Sequence, residues 1–197
     1  MYKCFIYFIL FLNLFHSTAQ EVNSLWETHF SYYNVNDLES NEPYIYASSD
    51  NSIFIYNTQT SESTKITTKQ GLAGEAISSI YFSSNHNKLI AGFVNGLIQV
   101  IDFNTSNIFS IYDIIDKTTI SPDSKRINNF NEFDQHIYIS TDYGISVFNL
   151  DSLEFGDTFF IGISGAQVRV AETTVLGEYF YAACKDFEGI KRSLISS

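Results

Sequence analysis

Lys88-Leu89-Ile90-Ala91-Gly92-Phe93-Val94-Asn95-Gly96-Leu97-Ile98-Gln99-Val100-Ile101 is two apolar runs joined by Asn-Gly. Asn-Gly between apolar runs is a strong local hairpin signal, because a tight primed turn asks both central residues for positive φ. The first run returns along the chain as Tyr44-Ile45-Tyr46-Ala47-Ser48, His136-Ile137-Tyr138-Ile139-Ser140 and Tyr179-Phe180-Tyr181-Ala182-Ala183. From Ile45 to Leu89, Ile137 and Phe180 the steps are about 44, 48 and 43 residues. A period of roughly 40–50 residues built from short apolar strands reads as the blades of a β-propeller.

Each copy has four parts. An apolar pair spaced φ-x-x-φ comes first: Val35/Leu38, Ile77/Ile80, Ile127/Phe130 and Val168/Ala171. The recurring run follows and ends in a column of small residues, Ser48, Gly92, Ser140 and Ala183. A turn comes next, carrying Asp50-Asn51-Ser52, Asn95-Gly96, Asp142-Tyr143-Gly144 and Asp186 to Gly189. A second apolar run closes the hairpin, and polar outer strands are expected near Thr64 to Thr67, Ile108 to Tyr112 and within Asp151 to Phe160. The fold class is therefore all-β, a propeller of four-stranded antiparallel blades with three full blades and a partial fourth. That incomplete fourth copy reads as the front of a longer protein or a truncated product. Trp26 to Tyr32 is expected as an extra outer strand.

Residues 1–19 read as a signal peptide. Lys3 is the positive start, Phe5 to Phe15 the apolar region, and Ser17-Thr18-Ala19 a cleavage signal. The propeller then occupies residues 20–197. Cys4 leaves with the leader, and Cys184 stays as a lone buried small residue, so no internal disulfide is expected. The formal net charge is −11, and about −12 without Lys3, which argues against nucleic acid as a partner. The acidic balance reads first as a solvated surface.

Gln70-Gly71-Leu72-Ala73-Gly74, Ile77-Ser78-Ser79-Ile80 and the hairpin from Lys88 to Ile98, with the opening Trp26-Glu27-Thr28-His29-Phe30-Ser31-Tyr32, resemble the N-terminal propeller of PorZ-type proteins. These belong to the type IX secretion system of Bacteroidetes. The resemblance implies an exported, non-enzymatic scaffold at the periplasmic or cell-surface side of the outer membrane. It implies as partners the other proteins of an attachment complex, including a sortase, and the glycan of anionic lipopolysaccharide. Membrane association would then run through partners. The Gly-Leu-x-Gly phrase is shared with periplasmic sensor propellers of two-component regulators, which is the alternative reading.

Turns equivalent by repeat cluster on one end of a propeller, where ligands dock on loops. Asp50, Asn51, Asn95 and Asp142, joined by Gly71 and Gly74, are the candidate recognition residues; the competing reading is that tight turns alone demand Asp, Asn and Gly. Asp50 and Asp142 offer oxygens to calcium, but no EF-hand spacing occurs, so no metal or cofactor is expected. His29, His86 and His136 are scattered without a zinc pattern. No G-x-S-x-G elbow occurs, Asp113 and Asp116 read as loop carboxylates, and a Ser/His/Asp set carries no weight without geometry. Asp151-Ser152-Leu153 matches a short O-glycosylation pattern of Bacteroidetes. A polysaccharide hydrolase built on the propeller is the third reading.

Overall fold

The computed structural model of the protein describes residues 34–186 and 188–195. The expected leader with its cleavage point, the strand expected over residues 26–32 and His29 lie outside the described residues. Four antiparallel sheets follow one another along the chain, each a meander. Blade 1 is β1 (Val35–Asn41), β2 (Tyr44–Ser49), β3 (Ser52–Asn57) and β4 (Ser63–Ile66). Blade 2 is β5 (Ile77–Ser83), β6 (Lys88–Phe93), β7 (Ile98–Asp102) and β8 (Asn107–Ile111). Blade 3 is β9 (Ile127–Phe133), β10 (His136–Thr141), β11 (Ile145–Asn149) and β12 (Glu154–Phe159). The fourth sheet has three strands, β13 (Val170–Leu176), β14 (Tyr179–Cys184) and β15 (Gly189–Leu194). The expected partial propeller is what the chain forms. The first strands lie side by side, β1 against β5, β5 against β9 and β9 against β13.

The φ-x-x-φ spacing has a backbone cause. Residues three apart on a regular strand point to opposite faces. In all four first strands a β-bulge inserts one residue after the first φ position. Ile77 and Ile80 then stand opposite Phe93 and Ala91, two apart on β6, and so share one face. Ile127 and Phe130 do the same opposite Thr141 and Ile139. The register corrects the fourth pair: Val170 and Thr173 stand opposite Cys184 and Ala182, so they replace Val168 and Ala171. Thr173 hid the match because it is polar. It is buried, and Ser140 Oγ donates to its Oγ1 at 3.4 Å.

The small-residue column is where the next blade lands. A Cβ on Gly92 would lie 2.5 Å from Ile127 Cγ2 and 2.8 Å from Phe130 Cζ. Burial of apolar side chains between blades is the main stabilising term. Tyr46, Ile53, Ile77, Ile80 and Leu89 fill the junction of blades 1 and 2. Ile98, Ile127, Phe130, Ile137 and Phe148 fill that of blades 2 and 3. At the last junction the buried apolar cluster is Ile145, Val170 and Ala182, with Tyr138 and Phe180 half-buried beside them. Opening free energy follows buried contact. Amides of β13–β15 are therefore expected to exchange with deuterium at least about tenfold faster than those of β5–β7; equal protection would contradict this ordering.

Polar bridges add to the junctions. Asp37 Oδ2 accepts from Ser79 Oγ and from the Ile80 backbone N–H, both at 2.9 Å. Asn36 Nδ2 donates to Ile77 O, and at the equivalent bulge Asn128 Nδ2 donates to Val170 O. Glu39, two residues beyond Asp37, is half-buried; burial, then the Asp37 charge, holds its carboxyl above the ordinary 4.5. The fold therefore holds this proton more tightly than the unfolded chain does. Its stabilising contribution is complete below about pH 4.5 and is lost as pH rises through the folded value. Glu39→Gln is expected to raise the melting temperature by about 1–2 °C at pH 7 and to leave it unchanged at pH 4.

Candidate recognition surface

In a meander, the turn between second and third strands emerges at the same end as the crossing to the next blade. Backbone bonds tie these segments together. Ile77 N–H donates to Asp50 O at 2.6 Å, Val94 N–H to Ala76 O at 3.0 Å, Asp142 N–H to Arg126 O at 3.2 Å and Lys185 N–H to Arg169 O at 2.8 Å. The Gly71–Gly74 segment is tied to the same end: Gln99 Oε1 accepts from Ala73 N–H, and Gln99 Nε2 donates to Gly71 O. Asp50, Asn51, Gly71, Gly74, Asn95 and Asp142 therefore share one end of the molecule.

They differ in what they are free to do. Asp50 and Asn51 are exposed at a two-residue turn, and Asp50 Oδ1 accepts from Asn34 Nδ2 at 3.0 Å. Gly71 ends a short 3-10 turn in the left-handed conformation (φ 104), whereas Gly74 is exposed and a Cβ there would meet only Thr68 Cγ2, at 4.0 Å. Asn95 does not take positive φ; only Gly96 does (φ 89), so the turn is not the primed type that Asn-Gly implied. Gly96 N–H donates to Phe93 O, Phe93 N–H to Leu97 O, and Asn95 Oδ1 accepts from Leu97 N–H. Asp142 is largely buried. Its Oδ1 accepts from Asn128 Nδ2 at 2.8 Å and lies 3.9 Å from Lys185 Nζ, which itself donates to Asn128 Oδ1 at 3.0 Å. Asn95 and Asp142 thus serve the fold, and Asp50, Asn51, Gly71 and Gly74 are the exposed members.

Sequence reading missed the cations around this turn end. Lys69, Lys117, Lys125, Arg126, Arg169 and Lys185 all lie in its loops, Lys125 buried, beside the carboxylates of Asp50, Glu75, Asp113, Asp116, Asp123, Asp142, Asp186 and Glu188, while the loops of the opposite end hold no described lysine or arginine and Lys88 stands there as the first residue of β6. Lys88 Nζ is spent on Leu150 O at 2.8 Å. That opposite end holds Glu42, Glu62, Asp102, Asp134, Asp151, Glu154 and Glu178. Arg169 pairs with Asp186, and the guanidinium hydrogen bond holds this carboxyl below its ordinary range. Arg126 and Arg169 each directly precede a first strand, so reading the fourth pair at Val170/Thr173 would have aligned them.

The opposite end has its own repeated device. Asn57, Asp102 and Asn149 each accept two backbone N–H bonds from the residues two and three further on. Ser61, Ser106 and Leu153 then follow with φ of 60, 59 and 58. Asp151-Ser152-Leu153 is thus the third copy of a structural turn. A Ser/His/Asp arrangement also forms here: Ser83 Oγ lies 2.9 Å from His86 Nδ1, and His86 Nε2 3.4 Å from Asp151 Oδ1. Ser83 is 0% exposed. A nucleophile must reach its substrate, so this geometry serves the junction with blade 3, where Glu132 Oε1 sits 3.4 Å from His86. No group of three or more His, Cys, Asp or Glu placed to hold a metal occurs among the described residues.

The sequence model of one family, described as "TSS9, PorZ, N-terminal beta-propeller domain", matches residues 45–195. No curated protein matches the chain. Among solved structures, PorZ of Porphyromonas gingivalis, a bacterial surface component of the type IX secretion system, is similar at 13% identity and TM-score 0.65. The match covers 85% of this chain and 23% of that one. The extracellular domain of a B. thetaiotaomicron protein assigned to the hybrid two-component systems is similar at 14% identity and TM-score 0.63, over 82% of this chain and 20% of that one. U3-55K is similar at 13% identity and TM-score 0.62, over 83% and 49%. The chain thus spans less than a quarter of the first two structures. At such identities the likeness concerns the fold alone.

Proposed function

The chain belongs to the family of type IX secretion system PorZ N-terminal β-propeller domains, and from that membership we propose that it is a non-catalytic recognition module of a cell-surface attachment complex. The family match over residues 45–195 is the observation that carries this reading. In it the protein is exported to the periplasmic or surface side of the outer membrane, and its partners are the sortase and other members of the complex. The turn end is the recognition surface. Exposed Asn51 and Gly74 flank it, and the loop cations Lys69 and Arg126 are the groups that would meet an anionic lipopolysaccharide glycan, set among the carboxylates of the same loops in a protein of net charge −11.

Binding of purified chain to immobilised anionic lipopolysaccharide tests the proposal. Lys69→Glu with Arg126→Glu is expected to weaken binding by at least about tenfold, and Glu42→Gln with Asp134→Asn at the other end to leave it within about twofold. Failure of the wild-type chain to bind, or equal loss from both pairs, would reject the turn end as a glycan surface. The likeness to the B. thetaiotaomicron extracellular domain supports a second reading, a sensor propeller. Gene deletion separates the two: lost surface attachment of secreted cargo favours the module, and lost transcriptional response to a glycan favours the sensor.

A further inference from the structure

A groove of about 460 Å³ opens between blades 1 and 2, at the end opposite the turn end. Both walls belong to four-stranded sheets, so its shape owes nothing to where the chain starts or stops. Tyr44, Tyr46, Ile55 and Asn57 form one wall, and Asn87 and Phe103 the other. Tyr46 is 3% exposed, its ring stacked on Phe82 with centres 4.9 Å apart. Its hydroxyl has no hydrogen-bond partner, yet no enclosed polar side-chain atom among the described residues lacks one. That hydroxyl therefore opens into the groove. Tyr44 is 39% exposed beside it, with ring centres 6.4 Å apart. Glu62 at the rim is exposed, and among the described residues its carboxylate accepts only from Thr60 Oγ1, at 3.3 Å.

The equivalent place holds a cation in two other sheets. Tyr44 stands opposite Asn57, and the matching pair on blade 2 is Lys88 opposite Asp102. Lys88 Nζ crosses the junction and donates to Leu150 O of blade 3 at 2.8 Å. Leu150 follows Asn149 as Phe103 follows Asp102, so the carbonyl that takes its place at the groove belongs to Phe103. On the fourth sheet, Tyr179 and Tyr181 repeat Tyr44 and Tyr46, with ring centres 6.3 Å apart. There the Arg192 guanidinium lies over the Tyr179 ring, 4.6 Å from its centre. Arg192 stands opposite Tyr181, as Ile55 stands opposite Tyr46. Blade 1 keeps the aromatic pair and the carbonyl and supplies no cation of its own. Its lysine, Lys65, stands opposite Phe54 and so belongs to the other face of the sheet.

We propose that this groove takes a lysine or arginine side chain from a partner protein. A cation over an aromatic face is attracted by the ring quadrupole, most strongly where water is excluded. Tyr44 offers the ring, the Tyr46 hydroxyl and Phe103 O accept N–H bonds, and Glu62 balances the charge. The surroundings select the same sign, since the loops of this end hold Glu42, Glu62 and Asp134 and no described lysine or arginine. Outside the described residues the sequence adds only Lys3. The surface lies away from the turn end, so the proposal stands independently of the glycan reading.

Nuclear magnetic resonance titration of the full chain with the peptide acetyl-Gly-Ser-Lys-Ser-Gly-amide, up to about 10 mM, reads the outcome. Ring signals of Tyr44, Tyr46 and Phe103 are expected to shift. The same peptide with its lysine acetylated has lost the charge and is expected to bind at least about fivefold more weakly. Tyr44→Ala with Glu62→Gln is expected to weaken binding at least about fivefold, and Tyr44→Phe, which keeps the ring, to hold it within about twofold. Glu154→Gln with Glu178→Gln, acids of the same end on other blades, should leave binding within about 1.5-fold. Tyr44→Lys copies the Lys88 arrangement onto blade 1 and is expected to abolish binding. Tyr44 and Glu62 are exposed, and unchanged circular dichroism confirms that the variants fold. Absence of shifts in wild type, equal loss from both acidic pairs, or binding retained by Tyr44→Lys overturns the proposal. Equal binding of the acetylated peptide overturns it too and leaves the groove to a neutral ligand such as a sugar.

Discussion

Gly92→Val is expected to destabilise the protein by about 3 kcal/mol, near the upper end of what overpacking a core costs. The cause is crowding across a junction. A Cβ at this position would sit 2.5 Å from Ile127 Cγ2, 2.9 Å from Ile127 Cβ and 2.8 Å from Phe130 Cζ. Ile127 lies on the bulged, hydrogen-bonded strand β9, so it gives way only if blade 3 moves as a whole. For a chain of this size the loss corresponds to a melting point lower by roughly 6–12 °C. Gly92→Ala should cost less, about 1–2 kcal/mol, and Ala183→Val almost nothing, because Ala183 at the equivalent position is exposed. Thermal melts of the three variants check the ordering. Equal effects at positions 92 and 183 would mean that the column does not receive the next blade.

Phe148→Ala should cost about 3–5 kcal/mol, the range for deleting a buried aromatic ring. Phe148 on β11 is fully buried, and its ring centre lies 5.2 Å from that of Phe155 on β12. It belongs to the buried apolar cluster shared by blades 2 and 3, so the cavity opens inside that junction. Phe159→Ala is the control, since this ring is 44% exposed and its loss should cost under about 1 kcal/mol. Urea unfolding gives both values. A cost below about 1.5 kcal/mol for Phe148→Ala would mean that the surrounding side chains collapse into the space.

Much of the blade architecture was legible because it is written in local pattern. The recurring runs became β2, β6, β10 and β14, and the polar stretches yielded β4, β8 and β12 within one or two residues. Odd spacing in the φ-x-x-φ pairs was visible but unexplained until the bulge appeared, since a bulge has no letter of its own. The fourth pair slid by two residues because Val168 and Ala171 satisfy an apolar pattern better than Val170 and Thr173, while burial follows register. Asn95 misled the turn assignment because an Asn side chain can also accept the N–H two residues on without positive φ. The shared end of Asp50, Asn51, Asn95 and Asp142 followed from the repeat, whereas the side taken by Gly71 and Gly74 became visible only through their bonds to Gln99. The burial of Asp142 did not, because its partners Asn128 and Lys185 belong to other strands and turns. Cation placement was equally hidden, since charge counts carry no information about which loops lie together.

The bulge has a genetic consequence. Between strands the hairpins absorb changes in length: the step from first φ residue to anchor is 10 residues from Ile127 to Ile137 and 12 from Ile77 to Leu89. Inside a first strand, removing one codon, such as that for Asn128, would restore a regular ladder and send Ile127 to the wrong side of its sheet. In-frame indels should therefore be tolerated between blades' strands and purged within residues 35–38, 77–80, 127–130 and 170–173, a footprint that a library of single-codon deletions would reveal.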